Sequence, residues 1–189
     1  MNIQNIISVS VAVLLATPAL RSQEKKEAAA PKTKLEAFES RTGSVLIKGF
    51  ADTGMVVGNG SVEISVREFT DATSGKREYG IVIEVKGMDR TDRKTRALID
   101  YDELDGLVKG IDYVRKIDRS ITKLENFEAI YSTRDGVKIT VFSSTGGKIE
   151  AAVETGRFSG SAFFSLQKLD ELRGLIAKAK LKIDSLKKA

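Results

Sequence analysis

Val62-Glu63-Ile64-Ser65-Val66 is written a second time as Val137-Lys138-Ile139-Thr140-Val141. Apolar β-branched residues alternate with polar ones in both copies. That period of two belongs to a half-buried antiparallel strand. A second alternating stretch follows each: Ile81, Ile83 and Val85 in the first copy, and Ile149, Ala151 and Val153 in the second. A shorter strand comes next, over Arg96–Tyr101 and Ala162–Leu166. Val45–Phe50 adds one more in the first copy.

Two further repeats flank the strands in the same order. Lys34-Leu35-Glu36-Ala37-Phe38-Glu39 returns as Lys123-Leu124-Glu125-Asn126-Phe127-Glu128. Asp102-Glu103-Leu104-Asp105-Gly106-Leu107-Val108 returns as Asp170-Glu171-Leu172-Arg173-Gly174-Leu175-Ile176. The last pair opens two helical patterns. Leu104, Leu107, Val108, Ile111, Val114 and Ile121 share one arc at 100° per residue, with Asp118 interrupting it. Leu169, Leu172, Leu175, Ile176, Ala179, Ile183 and Leu186 share another, with Leu181 off it. Internal repetition of this kind argues for two copies of one unit. The spacing places extra residues of the first copy at turn signals, around Gly54–Gly60 and Thr73–Lys76, where insertions cost little.

The expected fold is therefore α+β: two tandem antiparallel sheet-plus-helix repeats, β-β-β-β-α twice, sharing one core. The first repeat covers 34–122 and the second 123–189. The two amphipathic helices are the available cover for the apolar faces of the sheets. This tandem β-β-β-β-α order resembles the single-stranded nucleic-acid-binding folds of the Whirly, positive-cofactor-four and purine-rich-element-binding families. The resemblance spans about 150 residues, a usual domain length, and is one of topology. The Lys-Gly-Lys-Ala-Ala run of Whirly proteins does not occur, and the chain has no Trp. A fold hosts many functions, so the resemblance implies nucleic-acid binding only as a rival reading.

Residues Ile6–Leu15 form an apolar run followed by Ala16-Thr17-Pro18-Ala19. A bilayer needs about 20 such residues, so the run reads as the core of a secretory signal over 1–22, cut after Ala19 or Ser22. Residues 23–33 are charged and Ala-rich and read as a linker. The expected location is secreted or periplasmic.

The chain carries no Cys and no His. Disulfides and zinc sites built on thiolate or imidazole are thereby excluded, and the commonest general base is missing. No nucleophile elbow or Walker-type loop occurs. The expectation is a non-enzymatic chain without cofactor, whose partner is a protein or an anionic polymer. Net charge is +5, and loss of Arg21 with the signal leaves +4. The basic residues that best suit an anion are Lys76, Arg77, Arg90, Arg93, Lys94 and Arg96, all near hairpins of the first repeat. The same residues equally suit a solvated, soluble edge.

Three smaller features are read structurally. Asp100, Asp102, Glu103 and Asp105 do not fit an EF-hand register, because Leu104 and Ile111 stand where ligands belong. Asp102 and Asp170 are instead candidates for helix N-caps. Gly106 and Gly174, matched between copies, suggest close helix packing. The lysines near the C-terminus, Lys178 to Lys188, scatter round the helix and read as solvated.

Overall fold

The computed structural model describes residues 30–88, 94–156 and 160–188. The expected signal, most of the linker, and Arg90 and Arg93 lie outside them. Residues from Pro31 onward form one compact unit. Its elements are α1 (Lys34–Glu39), β1 (Leu46–Gly58), β2 (Gly60–Asp71), β3 (Arg77–Lys86), β4 (Lys94–Asp100), α2 (Leu104–Val114), β5 (Glu128–Ser132), β6 (Val137–Ser143), β7 (Ile149–Thr155), β8 (Ala162–Ser165) and α3 (Lys168–Leu186). Two four-stranded antiparallel sheets result, ordered β1-β2-β3-β4 and β5-β6-β7-β8. Each is followed by a helix, so the α+β repeat expected from the sequence is present.

The strand register refines the repeat. Val62, Ile64 and Val66 pair with Val85, Ile83 and Ile81. Val137, Ile139 and Val141 pair with Thr155, Val153 and Ala151. Ile81 thus corresponds to Ala151, two residues from the alignment read off the sequence. A shift of two keeps every side chain on its face, which is why the pattern alone missed it. The first motif pair is not equivalent. Lys34–Glu39 is a helix, capped by Thr33, whose hydroxyl accepts from the Glu36 N–H at 3.0 Å. Lys123–Phe127 is irregular and Glu128 opens β5. β1 runs to Gly58, well past Phe50. α2 stops at Val114, short of Ile121, which is exposed. There Asp118 accepts from the Ser120 N–H at 2.8 Å and starts a separate turn, the competition that short polar side chains offer a helix.

The helices exchange sheets. α3, from the second repeat, packs on β1, β2 and β3, while α2, from the first, packs on β5 and β6. Two close approaches fix this. Gly54 sits where β1 shifts register, with φ +150°, and a Cβ there would lie 2.7 Å from Leu175 of α3. Gly110 of α2 lies against the Tyr131 ring of β5, with no room for a Cβ. Gly54 and Tyr131 occupy matching strand positions, opposite Ile64 and Ile139. One half places the small residue on the strand and the other on the helix. Gly106 is exposed and a Cβ there would meet only the Tyr131 hydroxyl, at 3.3 Å, and one at Gly174 would meet nothing within 4 Å among the described residues. The matched glycines are therefore not the packing sites; Gly110 and Gly54 are.

The hairpin tips are exchanged too. Asn59, between β1 and β2, exchanges backbone bonds with Phe163 of β8, at 2.9 and 2.8 Å. Asp135, between β5 and β6, accepts the Leu98 N–H of β4 at 2.8 Å. Leu98 and Phe163 are matching edge positions, opposite Val82 and Ala152. Each tip covers the other sheet's exposed edge, where unpaired backbone invites association.

One continuous core results. It joins Val62, Ile64, Ile81 and Ile83 of the first sheet to Ile139, Val141 and Val153 of the second, with Leu104, Leu107 and Ile111 of α2 and Leu172, Ile176 and Ala179 of α3. Leu175 is only half-buried, over Gly54. A second cluster, Leu35, Phe38, Phe69, Val82 and Leu98, seats α1 on the outer face of the first sheet.

In two of the charge pairs between α2 and α3 the signs follow the copy, while Arg115 at the end of α2 meets Asp170 of α3 with the signs reversed. Asp112 accepts from Arg173 at 2.8 Å and Asp105 faces Lys180 at 3.6 Å. In the helix alignment Asp105 matches Arg173 and Asp112 matches Lys180, so α2 supplies both acids and α3 both bases. Asp112 also takes Arg115 at 3.1 Å. The Arg173 hydrogen bond, assisted by Arg115, holds the Asp112 carboxyl below its ordinary value of 3.8. A carboxyl depressed on folding stabilises above its unfolded pKa and loses that contribution as pH falls through the folded one. Thermal melts from pH 6 down to pH 2 should therefore show a shallower acid-side loss for Asp112→Asn than for the wild type. A parallel pair of curves would show that the pair contributes nothing.

Candidate binding surfaces

The basic residues singled out in the sequence do not converge. Lys76 and Arg77 stand at one end of β3, and Lys94 pairs with Lys86 at the other. Ten residues of strand separate them, roughly 30 Å at the usual rise. Each described one faces a carboxylate. Lys76 lies 3.7 Å from Glu78, Arg77 3.5 Å from Glu68, Lys94 3.2 Å from Glu63 and Arg96 3.4 Å from Glu39. The Tyr79 hydrogen bond and Glu68 raise the Arg77 pKa above its ordinary value.

The acidic cluster is a joint between the repeats. Asp100 is buried and accepts from the Lys34 and Leu35 N–H groups at 2.8 and 3.1 Å, so it holds the start of α1. Arg134, from the β5–β6 turn, lies 3.5 Å from Asp100, 2.9 Å from Asp102 and 3.1 Å from Glu103. For Asp102, partial burial pushes the pKa up, but Arg134 and Lys34 outweigh it and leave it lowered. Asp102 and Asp170 are not N-caps: the cap positions of α2 and α3 are Glu103 and Gln167, neither with a side-chain cap bond. Asp102 is spent on Arg134, and Asp170 pairs with Arg115. Among the described residues no group of acids is arranged to hold a metal ion.

Two open hollows lie on the outer sheet faces, away from the shared core. The one on the first sheet, of about 240 Å³, is lined by Lys48, Phe50, Arg67, Phe69, Arg96 and Glu39 among others. The Phe50 ring is exposed, and the Arg67 guanidinium stands 5.3 Å from its centre. Glu39 holds Lys48 at 2.7 Å and Arg96 at 3.4 Å. The one on the second sheet is larger, about 390 Å³. Its floor is Ile130, Thr140, Phe142, Ala152 and Phe163, and Phe142 meets Phe163 edge to face at 6.3 Å. Ile130 is 51% exposed and Phe163 44%. Glu128, Glu150 and Glu154 stand on this face with Lys138, which pairs with Glu154 at 3.2 Å. Glu128 and Glu150 have no ion pair among the described residues. The sequence scattered these residues over four strands. Only the strand register, with Ile130 opposite Thr140 and Ala152 opposite Phe163, gathers them.

Fold and surfaces together define a duplicated α+β chain with two open, partly apolar sheet faces. No protein-family model and no curated protein sequence matches it. No helix among the described residues is long and apolar enough to cross a membrane.

Proposed function

We propose that this chain is an exported, non-enzymatic binding or structural domain of the cell envelope that engages a protein partner through the outer face of its second sheet. The observation that carries the reading is the hollow over Ile130, Phe142 and Phe163, apolar at its floor and bordered by Glu128 and Glu154, with Glu150 on the same face; Glu128 and Glu150 have no ion pair among the described residues. An exposed apolar patch with a polar rim marks an interaction surface. The surplus of carboxylates fits a segment with an apolar side chain flanked by Lys or Arg. The apolar run of residues 6–15 supports export. The test uses two synthetic peptides, one with Phe between lysines and one with Phe between glutamates, titrated into ¹⁵N-labelled protein. Shifts confined to β5–β8 with the basic peptide, and lost in Ile130→Asp, are expected. Equal responses to both peptides, or none, would refute the reading.

A second reading has its own observation. Phe50 is exposed beside Arg67, with Lys48 and Arg96 close by, an arrangement suited to stacking a base and neutralising phosphate. It agrees with the nucleic-acid-binding families that the tandem repeat resembles, but moves the anionic-polymer contact from the hairpins to the sheet face. Fluorescence anisotropy with a single-stranded oligonucleotide across a salt series should show log affinity falling linearly with log salt. Phe50→Ala should weaken binding more than the Lys76→Ala/Arg77→Ala pair. The reverse order would return the contact to the hairpin.

A further inference from the structure

We propose that β1 pairs edge to edge with β1 of a second copy of this chain, antiparallel and centred on Phe50. The inference is independent of the peptide and polymer readings above. Three of the four outer strands are short or covered. β8 has four residues and is bonded to Asn59, β5 has five, and β4 is stopped where Asp135 takes the Leu98 N–H. β1 has 13 residues and, among the described residues, a strand neighbour on one side only. A long, uncovered edge with exposed apolar side chains is a template for another strand.

The bonding pattern says which residues face that edge. The Ala72 N–H donates to the Val45 carbonyl at 3.0 Å, and the register continues as Leu46 opposite Asp71 and Ile47 opposite Thr70. In an antiparallel ladder bonded residues alternate. Val45, Ile47, Gly49 and Ala51 thus bond to β2, and Leu46, Lys48, Phe50 and Asp52 turn their N–H and C=O groups to the free edge. Lys48, Phe50 and Asp52 also share the outer face, opposite Phe69, Arg67 and Ser65.

That row is self-complementary about Phe50. With Phe50 opposite its own copy, Lys48 falls opposite Asp52 of the partner subunit, and Asp52 opposite its lysine. Gly49 and Ala51, both small, meet on the other face. A centre at Lys48 or at Asp52 would instead oppose like charges. Asp52 is exposed and has no ion pair among the described residues, so the pairing satisfies a free carboxylate. Two four-stranded sheets would join into one of eight strands.

The chain has no Cys, so Phe50→Cys places a single thiol at the symmetry centre. Bonded antiparallel partners lie about 5.5 Å apart at Cα, within the disulfide range of about 4.4–6.8 Å. Mild oxidation should give a disulfide dimer with Phe50→Cys and not with the exposed control Val57→Cys. In sedimentation velocity the wild type should dimerise reversibly. Asp52→Lys and Lys48→Asp should each weaken the dimer about tenfold or more, because the symmetry creates two like-charge contacts, and the double variant should restore it. Phe50→Pro removes one edge donor without touching the bonds to β2; it should abolish the dimer while the circular dichroism stays native. A wild type monomeric into the millimolar range would overturn the proposal. So would a dimer indifferent to Asp52→Lys, or a double variant that stays apart.

Discussion

Leu107→Ala is expected to cost about 2–5 kcal/mol, the range for a fully buried leucine truncated in a packed core. Leu107 is completely shielded from solvent, on the face of α2 that meets the second sheet. A domain's whole stability is roughly 5–15 kcal/mol, so the denaturant midpoint should fall steeply. Leu175→Ala is its match in α3 but should cost less, because Leu175 is half-buried over Gly54. Lys182→Ala, on the exposed side of α3, should leave the midpoint unmoved. Urea unfolding of the three variants gives the order. A silent Leu107 would mean that α2 does not cover the second sheet.

The second large effect is expected at Asp100. Its carboxylate accepts two backbone N–H groups at the start of α1 and lies 3.5 Å from Arg134. Alanine would leave those donors without their acceptor and remove one of three acids around the guanidinium. An unsatisfied buried group costs about 1–3 kcal/mol, and α1 holds the second core cluster only while its first turn is fixed. Asp100→Ala should therefore destabilise by about 2–4 kcal/mol. Hydrogen exchange should show α1 opening before either sheet. Asp100→Asn, which keeps one acceptor oxygen, should recover part of the loss. Equal stability of the alanine variant and the wild type would remove Asp100 from the joint.

The strands and the burial of both helices were readable because Val62–Val66 and Leu104–Ile111 carry clean periods. Asp100, Leu104, Leu107, Ile111, Leu172 and Ala179 lie inside, as such periods require of the apolar ones. The partners of those faces were not readable. A period says that Leu107 must be buried but not against which sheet, and the exchange of α2 and α3 is a matter of topology. The close approaches were hidden for the same reason. Gly54 and Gly110 have no repeat signature, whereas Gly106 and Gly174 do, and it is the first two that meet Leu175 and Tyr131. Repetition of Lys34–Glu39 misled because six residues of similar sequence fold by context. Thr33 and Asp100 hold the first copy as a helix. The second also opens on a threonine, Thr122, but its hydroxyl accepts the Leu124 N–H at 3.2 Å, and the segment leads into β5. The candidate surfaces were least legible, since Ile130, Phe142 and Phe163 come together only through strand pairing.

The central claim is that each repeat's helix covers the other repeat's sheet. Proton–proton nuclear Overhauser effects in ¹³C-labelled protein test it most directly. The account predicts cross-peaks from the Leu175 methyls to the Gly54 α-protons, and from the Tyr131 ring to the Gly110 α-protons. Cross-peaks from Leu175 to Tyr131, with Gly54 silent towards α3, would contradict it and place each helix on its own sheet.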